Sequence, residues 1–406
     1  MWGCEARVNR KQARVTPAER LSYRTRGTLV GTSFSRLPQH AAIRRATSIT
    51  TVGAILTATA SLSMSAQRAS CSATRASMTP LNWASSAINP KSTAPTFDLN
   101  HGAPLTLVAD VPLPGAARRF DYQSFDSTSG RLYISHMHGD RLDVFDTRAG
   151  TLLASLEGFP GATGVRAVPG LHKVYVSVTD KHEVAVVDDR TLKTVALVSG
   201  ADFPDGIAYA PDERQVFVSD EHGGTVLVID ATTDARIGLI PLGGEAGNTH
   251  YDQVSHCMLV AVQTRNELAA VDPRTRRIVA RYPMACDHPH GFLIDEPDRL
   301  AFVTCEGNAR LLVLDLRTMR ITASIKIPAD PDVLAFDAPL RRLYVACESG
   351  SLAVFEERDA KLTLLGEYRA AHAHTVAVDP HTHRVYLPLQ DVDGKPVLRI
   401  LSPSER

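Results

Sequence analysis

The sequence predicts an all-β protein, a seven-bladed β-propeller over residues 101–406, on two observations. First, a short run of β-branched and aromatic residues recurs seven times at a nearly constant period. The central residues of these runs, here called the marker residues, are Tyr133, Tyr175, Phe217, Leu259, Phe302, Tyr344 and Tyr386, spaced 42, 42, 42, 43, 42 and 42 residues apart. Second, three further strand-like runs accompany each marker, and helical periodicity is absent. Four short strands at this period are typical of a propeller blade, because each small sheet buries its faces only against neighbouring sheets.

The strands follow a fixed order within each repeat. A run such as GIAYA from Gly206 leads through a Pro- and Asp-containing hairpin to the marker run, and a third run such as LVID follows. A fourth strand lies between repeats. The third run ends in an acidic residue that we predict to form a turn, because Asp side chains accept hydrogen bonds from backbone N–H groups two residues on. These residues are Asp146, Asp188, Asp230, Asp272, Asp315 and Glu356.

The seventh repeat supplies only three strands before the chain ends. The segment at 104–112 has the character of an inter-repeat strand and precedes the first repeat. We therefore predict that it pairs beside 397–402 in the last blade, which closes the ring and removes open sheet edges.

Residues 1–100 lack the repeat and divide into a basic leader (1–78) and a polar linker (79–100). Arg44 and Arg45 precede a weakly apolar segment at about 46–66 that ends in small residues. This pattern is typical of a twin-arginine or Sec-type export signal, so we expect a periplasmic or secreted protein. The segment is too short and too rich in Ser and Thr for a membrane span. An Arg-rich cytoplasmic tail or an organellar transit peptide is the alternative, and lipidation at Cys71 and the true translation start stay open.

Charge is distributed unevenly along the chain. The first hundred residues carry 13 Lys and Arg against 3 Asp and Glu, which leaves 31 basic and 41 acidic residues for 101–406, a net charge of about −10. An acidic propeller repels a phosphate backbone, and no basic stripe with exposed aromatic residues is present. We therefore expect no nucleic-acid partner, and nucleic-acid binding is only a minor alternative.

The repeat resembles the YVTN repeat of YncE-like proteins, within the WD40-like superfamily. The residues that carry the resemblance are the runs KVYVS at 173 and RLYVA at 342, each followed by an apolar run that ends in an acidic residue. The resemblance covers about 300 residues and implies a seven-bladed ring. It implies no single function, because such propellers include binding proteins, surface-layer proteins and relatives of lactonases and oxidoreductases.

Alignment of the repeats predicts which side chains meet on one face of the ring, around the central channel. Twelve residues before the markers stand Asp121, Thr163, Asp205, Gly247, His290, Asp332 and His374. Two residues earlier, expected on the same strand face, are Arg119, His288, Asp330 and His372. Asn248 and His250 lie nearby in the fourth repeat. The loops between second and third strands add His136, His138, His182, Glu221, His222, Glu306 and Glu348.

These side chains predict an acidic, His-bearing binding face. The predicted ligand-binding residues are Asp121, Asp205, His250, His290, Asp332, His374, Glu306 and Glu348, and the predicted metal ligands are His250, His290 and His374. Imidazole and carboxylate together suit a zinc-, manganese- or iron-type ion, so a divalent metal is the one cofactor we consider. The same groups suit general acid–base chemistry near neutral pH. The alternative is that they are polar only because a channel mouth faces water.

These residues are compatible with two functions. One is an extracytoplasmic binding protein whose channel face holds a metal ion, a small ligand or a protein partner. The other is a metal-dependent hydrolase of lactonase type, although the gluconolactonase-type enzymes resemble six-bladed rings and their ligand set is not transferred here. An oxidoreductase subunit is a minor alternative, and no HExxH, GxSxG or CxxC motif decides. Cys257, Cys286, Cys305 and Cys347 are interpreted as buried thiols, with a disulfide as the alternative.

Overall fold

The computed structural model describes residues 103–404, which form seven antiparallel sheets of four strands each. The predictions for the leader, the export segment, Cys71 and the linker lie outside the described residues. Within residues 103–404, no helix is both long and apolar enough to cross a bilayer.

The strands run outward from the channel in chain order within each sheet except the last, whose outer strand is the first of the chain. The first strands are β2 (Gln123–Asp126), β6 (Ala162–Val168), β10 (Pro204–Ala210), β14 (Ala246–Asp252), β18 (Pro289–Asp295), β22 (Pro331–Asp337) and β26 (Ala377–Asp379). The second strands are β3 (Arg131–His136), β7 (Lys173–Val178), β11 (Gln215–Asp220), β15 (Cys257–Val262), β19 (Leu300–Cys305), β23 (Arg342–Cys347) and β27 (Arg384–Val392). The third strands are β4 (Arg141–Asp146), β8 (Glu183–Asp188), β12 (Thr225–Asp230), β16 (Glu267–Asp272), β20 (Arg310–Asp315), β24 (Ser351–Arg358) and β28 (Lys395–Pro403). The outer strands are β5 (Thr151–Glu157), β9 (Thr194–Ser199), β13 (Ala235–Pro241), β17 (Arg277–Pro283), β21 (Arg320–Lys326), β25 (Lys361–Arg369) and β1 (Leu105–Pro112).

The first strands form a closed ring around the channel. Each contacts the first strand of the next sheet, and β26 contacts β2. The last sheet joins both ends of the chain, because β1 pairs antiparallel with β28 from Leu105 opposite Pro403 to Pro112 opposite Val397. The predicted seven-bladed ring and its closure are therefore confirmed.

The core lies between the sheets. All seven marker residues are at most 3% exposed, and they pack in clusters that join neighbouring sheets, as where Phe217 and Met258 share one cluster. Burial of such side chains contributes roughly 1.5–3 kcal/mol each, so the packing between sheets supplies most of the stability of the ring.

Five of the six predicted acidic turn residues form the expected turns. Asp146, for example, accepts backbone hydrogen bonds from Arg148 and Ala149, both at 2.9 Å. The sixth is a correction, because β24 runs on to Arg358 and it is Glu357, not Glu356, that accepts the turn hydrogen bond, from the Ala360 backbone at 2.8 Å.

The interpretation of the four cysteines as thiols was wrong for three of them. Cys257 is disulfide-bonded. Cys286 and Cys305 form a disulfide, with 6.0 Å between their Cα atoms. Cys305 ends β19 opposite Pro289, so the bond ties the loop before β18 to the adjacent strand. Cys347, the equivalent of Cys305 in the next sheet, is a buried free thiol as expected.

Candidate functional site

A cavity of about 320 Å³ opens at the end of the channel where the first strands begin. Seven of the eight predicted ligand-binding residues line it: Asp121, Asp205, His290, Glu306, Asp332, Glu348 and His374. The repeat alignment explains this convergence, because the first strands and the loops after the second strands meet at this end of the ring. Arg119, Tyr122, Glu221 and Asp330 complete the charged and polar lining.

The cavity is strongly acidic. Seven carboxylates line it, against one arginine and two histidines. Burial, followed by the charges of Asp121 and Glu221, raises the pKa of Asp205 well above its usual range. Burial also raises the pKa of Glu306 to about 7. Mutual repulsion therefore disfavours full ionisation of the site, and a bound cation would relieve that repulsion.

His374 joins three of these carboxylates. Its Nε2 lies 2.9 Å from Asp121 Oδ1, its Nδ1 lies 3.0 Å from Asp332 Oδ2, and Nδ1 also contacts Glu348. Burial lowers the pKa of His374, but the charges of Asp332 and Asp121 outweigh it and raise the pKa well above 6.5. The ring is therefore an imidazolium that donates from both nitrogens.

Arg119 adds a second cation beside this ring. Its guanidinium pairs with Glu348 at 2.9 Å and lies 3.1 Å from the ring nitrogens of His374. Because both ring nitrogens already donate to carboxylates, the contact between Arg119 and His374 is packing rather than a hydrogen bond. The hydrogen bond from His374 is the main cause that lowers the pKa of Glu348.

His290 lies on the other side of Asp332, and its ring nitrogens are less well hydrogen-bonded than those of His374. Its Nε2 is 3.5 Å from Asp332 Oδ1 and its Nδ1 is 3.8 Å from Glu306 Oε1, both longer than hydrogen bonds. Burial lowers the pKa of His290, but Asp332 and Glu306 raise it to about 9. His290 Nδ1 and Asp332 Oδ1 are both buried, and neither has a hydrogen-bond partner among the described residues.

Tyr122 crosses the channel beneath this cavity. Its hydroxyl is 2.5 Å from Asn248 Oδ1, 3.2 Å from Asp205 Oδ2 and 3.4 Å from His290 Nε2. It can donate only one proton, and the short contact assigns that proton to Asn248 Oδ1. Tyr122 also lines a second cavity deeper in the channel, so its ring separates the two.

His250 does not join the other two predicted metal ligands. It stands three positions further along its strand than the residues that reach the mouth, and it lines the second cavity instead. Burial, followed by the charge of Arg166, lowers the pKa of His250 to about 3. The structure therefore separates His250 from His290 and His374 because they occupy different repeat positions.

The residues two places earlier also differ from the prediction. His288, Asp330 and His372 precede their strands in left-handed backbone conformation, with φ of 49°, 52° and 57°. Strand alternation therefore does not apply to them, and His288 and His372 are exposed. Of this group only Arg119 and Asp330 line the cavity.

The loop histidines lie outside the cavity. His136 is fully buried in the first blade, stacked on Phe120 with ring centroids 4.0 Å apart. His222 packs on Phe203 at 4.2 Å, and His138 and His182 are exposed. None of the four lines the cavity at the mouth.

Two groups of side chains at the mouth could hold a metal ion, and they share Asp332. They are His290 with Glu306 and Asp332, and Asp332 with Glu348 and His374; in each, ligand atoms lie within 4.8 Å of one another. The first fits an ion better, because His290 Nδ1 and Asp332 Oδ1 have no partner whereas both nitrogens of His374 are engaged. A third group, Asp295 with Asp298 and Glu357, lies elsewhere and is already neutralised by Arg341.

Comparisons with known proteins show the fold alone. The chain is similar to Kuenenia stuttgartiensis hydrazine synthase, with a TM-score of 0.60 and 14% identity over 72% of this chain and 97% of that one. It is also similar to the β-propeller domain of Cps50 (Swd1) from Myceliophteria thermophila, with a TM-score of 0.62 and 13% identity over 74% of this chain and 100% of that one. No family model and no curated protein matches the sequence.

Proposed function

We propose that this protein is an extracytoplasmic propeller of the YVTN type that binds a divalent metal ion at the acidic mouth of its channel. The ligands are His290, Glu306 and Asp332. The observation that carries the proposal is a group in which one ligand atom from each of these residues lies within 4.8 Å of the others. Two buried atoms of the same residues, His290 Nδ1 and Asp332 Oδ1, have no hydrogen-bond partner among the described residues.

His374 positions the site without binding the ion. It holds Asp332 through Oδ2 at 3.0 Å, which leaves Oδ1 of the same carboxylate directed towards His290 at 3.5 Å. Partners of this kind orient metal ligands and tune their affinity. One imidazole and two carboxylates suit Zn²⁺, Mn²⁺ or Fe²⁺.

Location outside the cytoplasm is supported by two features. The predicted export segment precedes the propeller, and the Cys286–Cys305 disulfide is of the kind that persists in oxidising compartments. The repeat pattern itself supports the YVTN assignment.

The test is binding of Zn²⁺ and Mn²⁺ to the purified protein, measured by calorimetry after removal of bound metal with chelator. We expect His290→Gln to weaken binding at least tenfold, since loss of even an outer partner of a ligand costs 10–100-fold. His381→Gln is the matched control, because His381 is exposed and far from the mouth in a turn beside Asp379. Failure of both ions to bind, or equal affinity in His290→Gln, would contradict the proposal.

A metal-dependent hydrolase of lactonase type is the second candidate. Three protein ligands leave coordination positions open, which is typical of catalytic rather than structural sites, and the adjacent cavity of about 320 Å³ has room for a small substrate. Lactone turnover that is lost on chelation and in His290→Gln would favour this reading over binding alone. A metal-loaded protein without turnover would leave only the binding role.

A further inference from the structure

The second cavity has the opposite character to the first. It has a volume of about 270 Å³ and lies in the channel beyond Tyr122. Its walls combine apolar side chains, Ile207, Phe292, Leu334 and Val376 among them, with polar ones, and no Asp or Glu lines it. A cavity of this size, at the lower end of small-molecule pockets, suits a ligand of few atoms.

Arg166 projects into this cavity from the fifth position of β6. Protein surrounds the guanidinium, and this burial lowers its pKa, yet the side chain remains open to the solvent of the channel. Among residues 103–404 no ion pair and no side-chain hydrogen bond of Arg166 is found, in contrast to Arg341 or Arg299 with their bound carboxylates. The cavity therefore contains a fixed positive charge without a counter-charge.

The repeat does not require this arginine. At the same position of the other first strands stand Ser124, Ala208, His250, Leu293, Ala335 and Ala377. Small and apolar residues thus satisfy the fold there in four of seven sheets. The three polar residues, Ser124, Arg166 and His250, come from the first, second and fourth sheets and all line this cavity.

A hydrogen-bonding group beside Arg166 also lacks a partner. Thr249 is 3% exposed, lines the cavity, and its Oγ1 has no hydrogen-bond partner among the described residues. Gln123 Oε1, in the same cavity wall, is also buried without a hydrogen-bond partner among the described residues. Buried polar groups in folded proteins are normally paired, so these two atoms in the wall of the cavity are exceptions.

We propose that this cavity is a second binding site, independent of the metal site, for a small monocarboxylate with an apolar body. Arg166 would hold the carboxylate through its paired N–H donors, which match carboxylate geometry. A single cation and apolar walls suit one negative charge better than the two of a phosphate. Entry is from the end of the channel away from the mouth, because the seven carboxylates beyond Tyr122 repel an anion.

The test is calorimetry with three probes: butyrate, benzoate and cyclohexanecarboxylate. We expect at least one to bind, and Arg166→Gln to weaken it at least tenfold. Arg358→Gln is the matched control, because Arg358 is exposed and pairs only with Glu356. The neutral analogue of the bound probe, benzamide in the case of benzoate, should bind at least tenfold more weakly than the carboxylate.

Two further measurements separate a ligand site from a structural role. Arg166→Gln without ligand should unfold at a temperature no lower than that of the wild type, since Arg166 makes no ion pair or side-chain hydrogen bond among the described residues that its loss would break. His290→Gln should keep the affinity for the carboxylate, which distinguishes this site from the metal site. The proposal is overturned if none of the three probes binds the wild type, if Arg166→Gln binds equally well, or if the neutral analogue competes on equal terms.

Discussion

Asp143 is a carboxylic acid in the middle of β4, at a position where other third strands carry Ala185, Leu227, Ala269, Leu312 and Ala353. It is 0% exposed, and neither carboxylate oxygen has a hydrogen-bond partner among the described residues. The buried ring of His136 lies close by, with its Nδ1 3.8 Å from Asp143 Oδ2. Burial raises the pKa of Asp143 from 3.8 to about 6, against small opposing effects of Ser155 and Arg141.

The raised pKa of Asp143 determines how much the ionised carboxylate lowers the free energy of unfolding. The folded protein holds the proton more tightly than the unfolded chain, so the contribution of Asp143 is most favourable below pH 3.8 and is lost as the pH rises through 6. A difference of about two pH units corresponds to about 3 kcal/mol at pH 8. Asp143→Asn removes this cost without changing the side-chain volume. We therefore expect the variant to be more stable by up to about 3 kcal/mol at pH 8 and no more stable than the wild type at pH 4.

His136 titrates in the opposite direction. Burial lowers its pKa from 6.5 to about 4, so its contribution is present above pH 6.5 and is lost as the pH falls towards 4. In the wild type the two effects oppose each other over this range. In Asp143→Asn the effect of His136 remains alone, and the stability should rise from pH 4 to pH 6.5.

The assay is urea unfolding at pH 4, 6 and 8. Asp230→Asn is the control of opposite sign, because its turn hydrogen bonds from the Thr233 and Thr232 backbone lower the pKa of Asp230 and that substitution should destabilise at pH 8. If Asp143→Asn were less stable than the wild type at pH 8, or if its effect did not change with pH, the carboxylate would have to make compensating interactions and the reasoning would fail.

Two further predictions concern the channel mouth and the disulfide. His374→Gln should lower the free energy of unfolding by about 3–5 kcal/mol at pH 6, because it leaves three carboxylates without their imidazolium. Since the pKa of His374 is raised, this loss of stability should shrink at alkaline pH. A loss that does not depend on pH would contradict the prediction. Replacement of both Cys286 and Cys305 by Ala should lower the free energy of unfolding in urea by about 3 kcal/mol, from the 19-residue separation that the bond closes. A double variant as stable as the wild type would contradict this prediction.

The fold was predictable because the repeat records a physical need. Each sheet must bury an apolar residue against its neighbour at the same point, which is why Tyr133 and Phe302, four repeats apart, are both buried. The closure was predictable for a similar reason: the seventh repeat lacked one strand, and Leu105–Pro112 had the required character.

The site was predictable only in part. Repeat position brought Asp332 and His374 together correctly, but simple alternation along a strand failed at its ends. In five first strands the register shifts near the start, as between Pro289 and Phe292, so consecutive residues do not alternate there between opposite faces. Tyr122, which follows Asp121 directly and precedes β2, also lines the cavity and was missed.

The disulfide was missed although the hairpin contained a signal. Cys305 pairs with Pro289 across β18 and β19, and Cys286 precedes Pro289 by three residues. A bend in the loop brings Cys286 back over the end of β19, and the conformation of that loop is not encoded in the repeat. The equivalent residue in the next sheet, Cys347, has no such partner and stays a thiol.

Departures from the repeat are therefore informative only together with their surroundings. Asp143 and Arg166 are both charged residues where most other sheets have Ala or Leu, and neither finds an internal hydrogen-bonding partner among the described residues. Asp143 is 0% exposed and lines neither of the two cavities, so its consequence is a cost in stability at neutral pH. Arg166 faces a cavity lined by no carboxylate, so an anion from solution can reach it and neutralise its charge. The same kind of departure from the repeat is thus a liability in one place and a binding site in the other, and the difference is set by access to the channel.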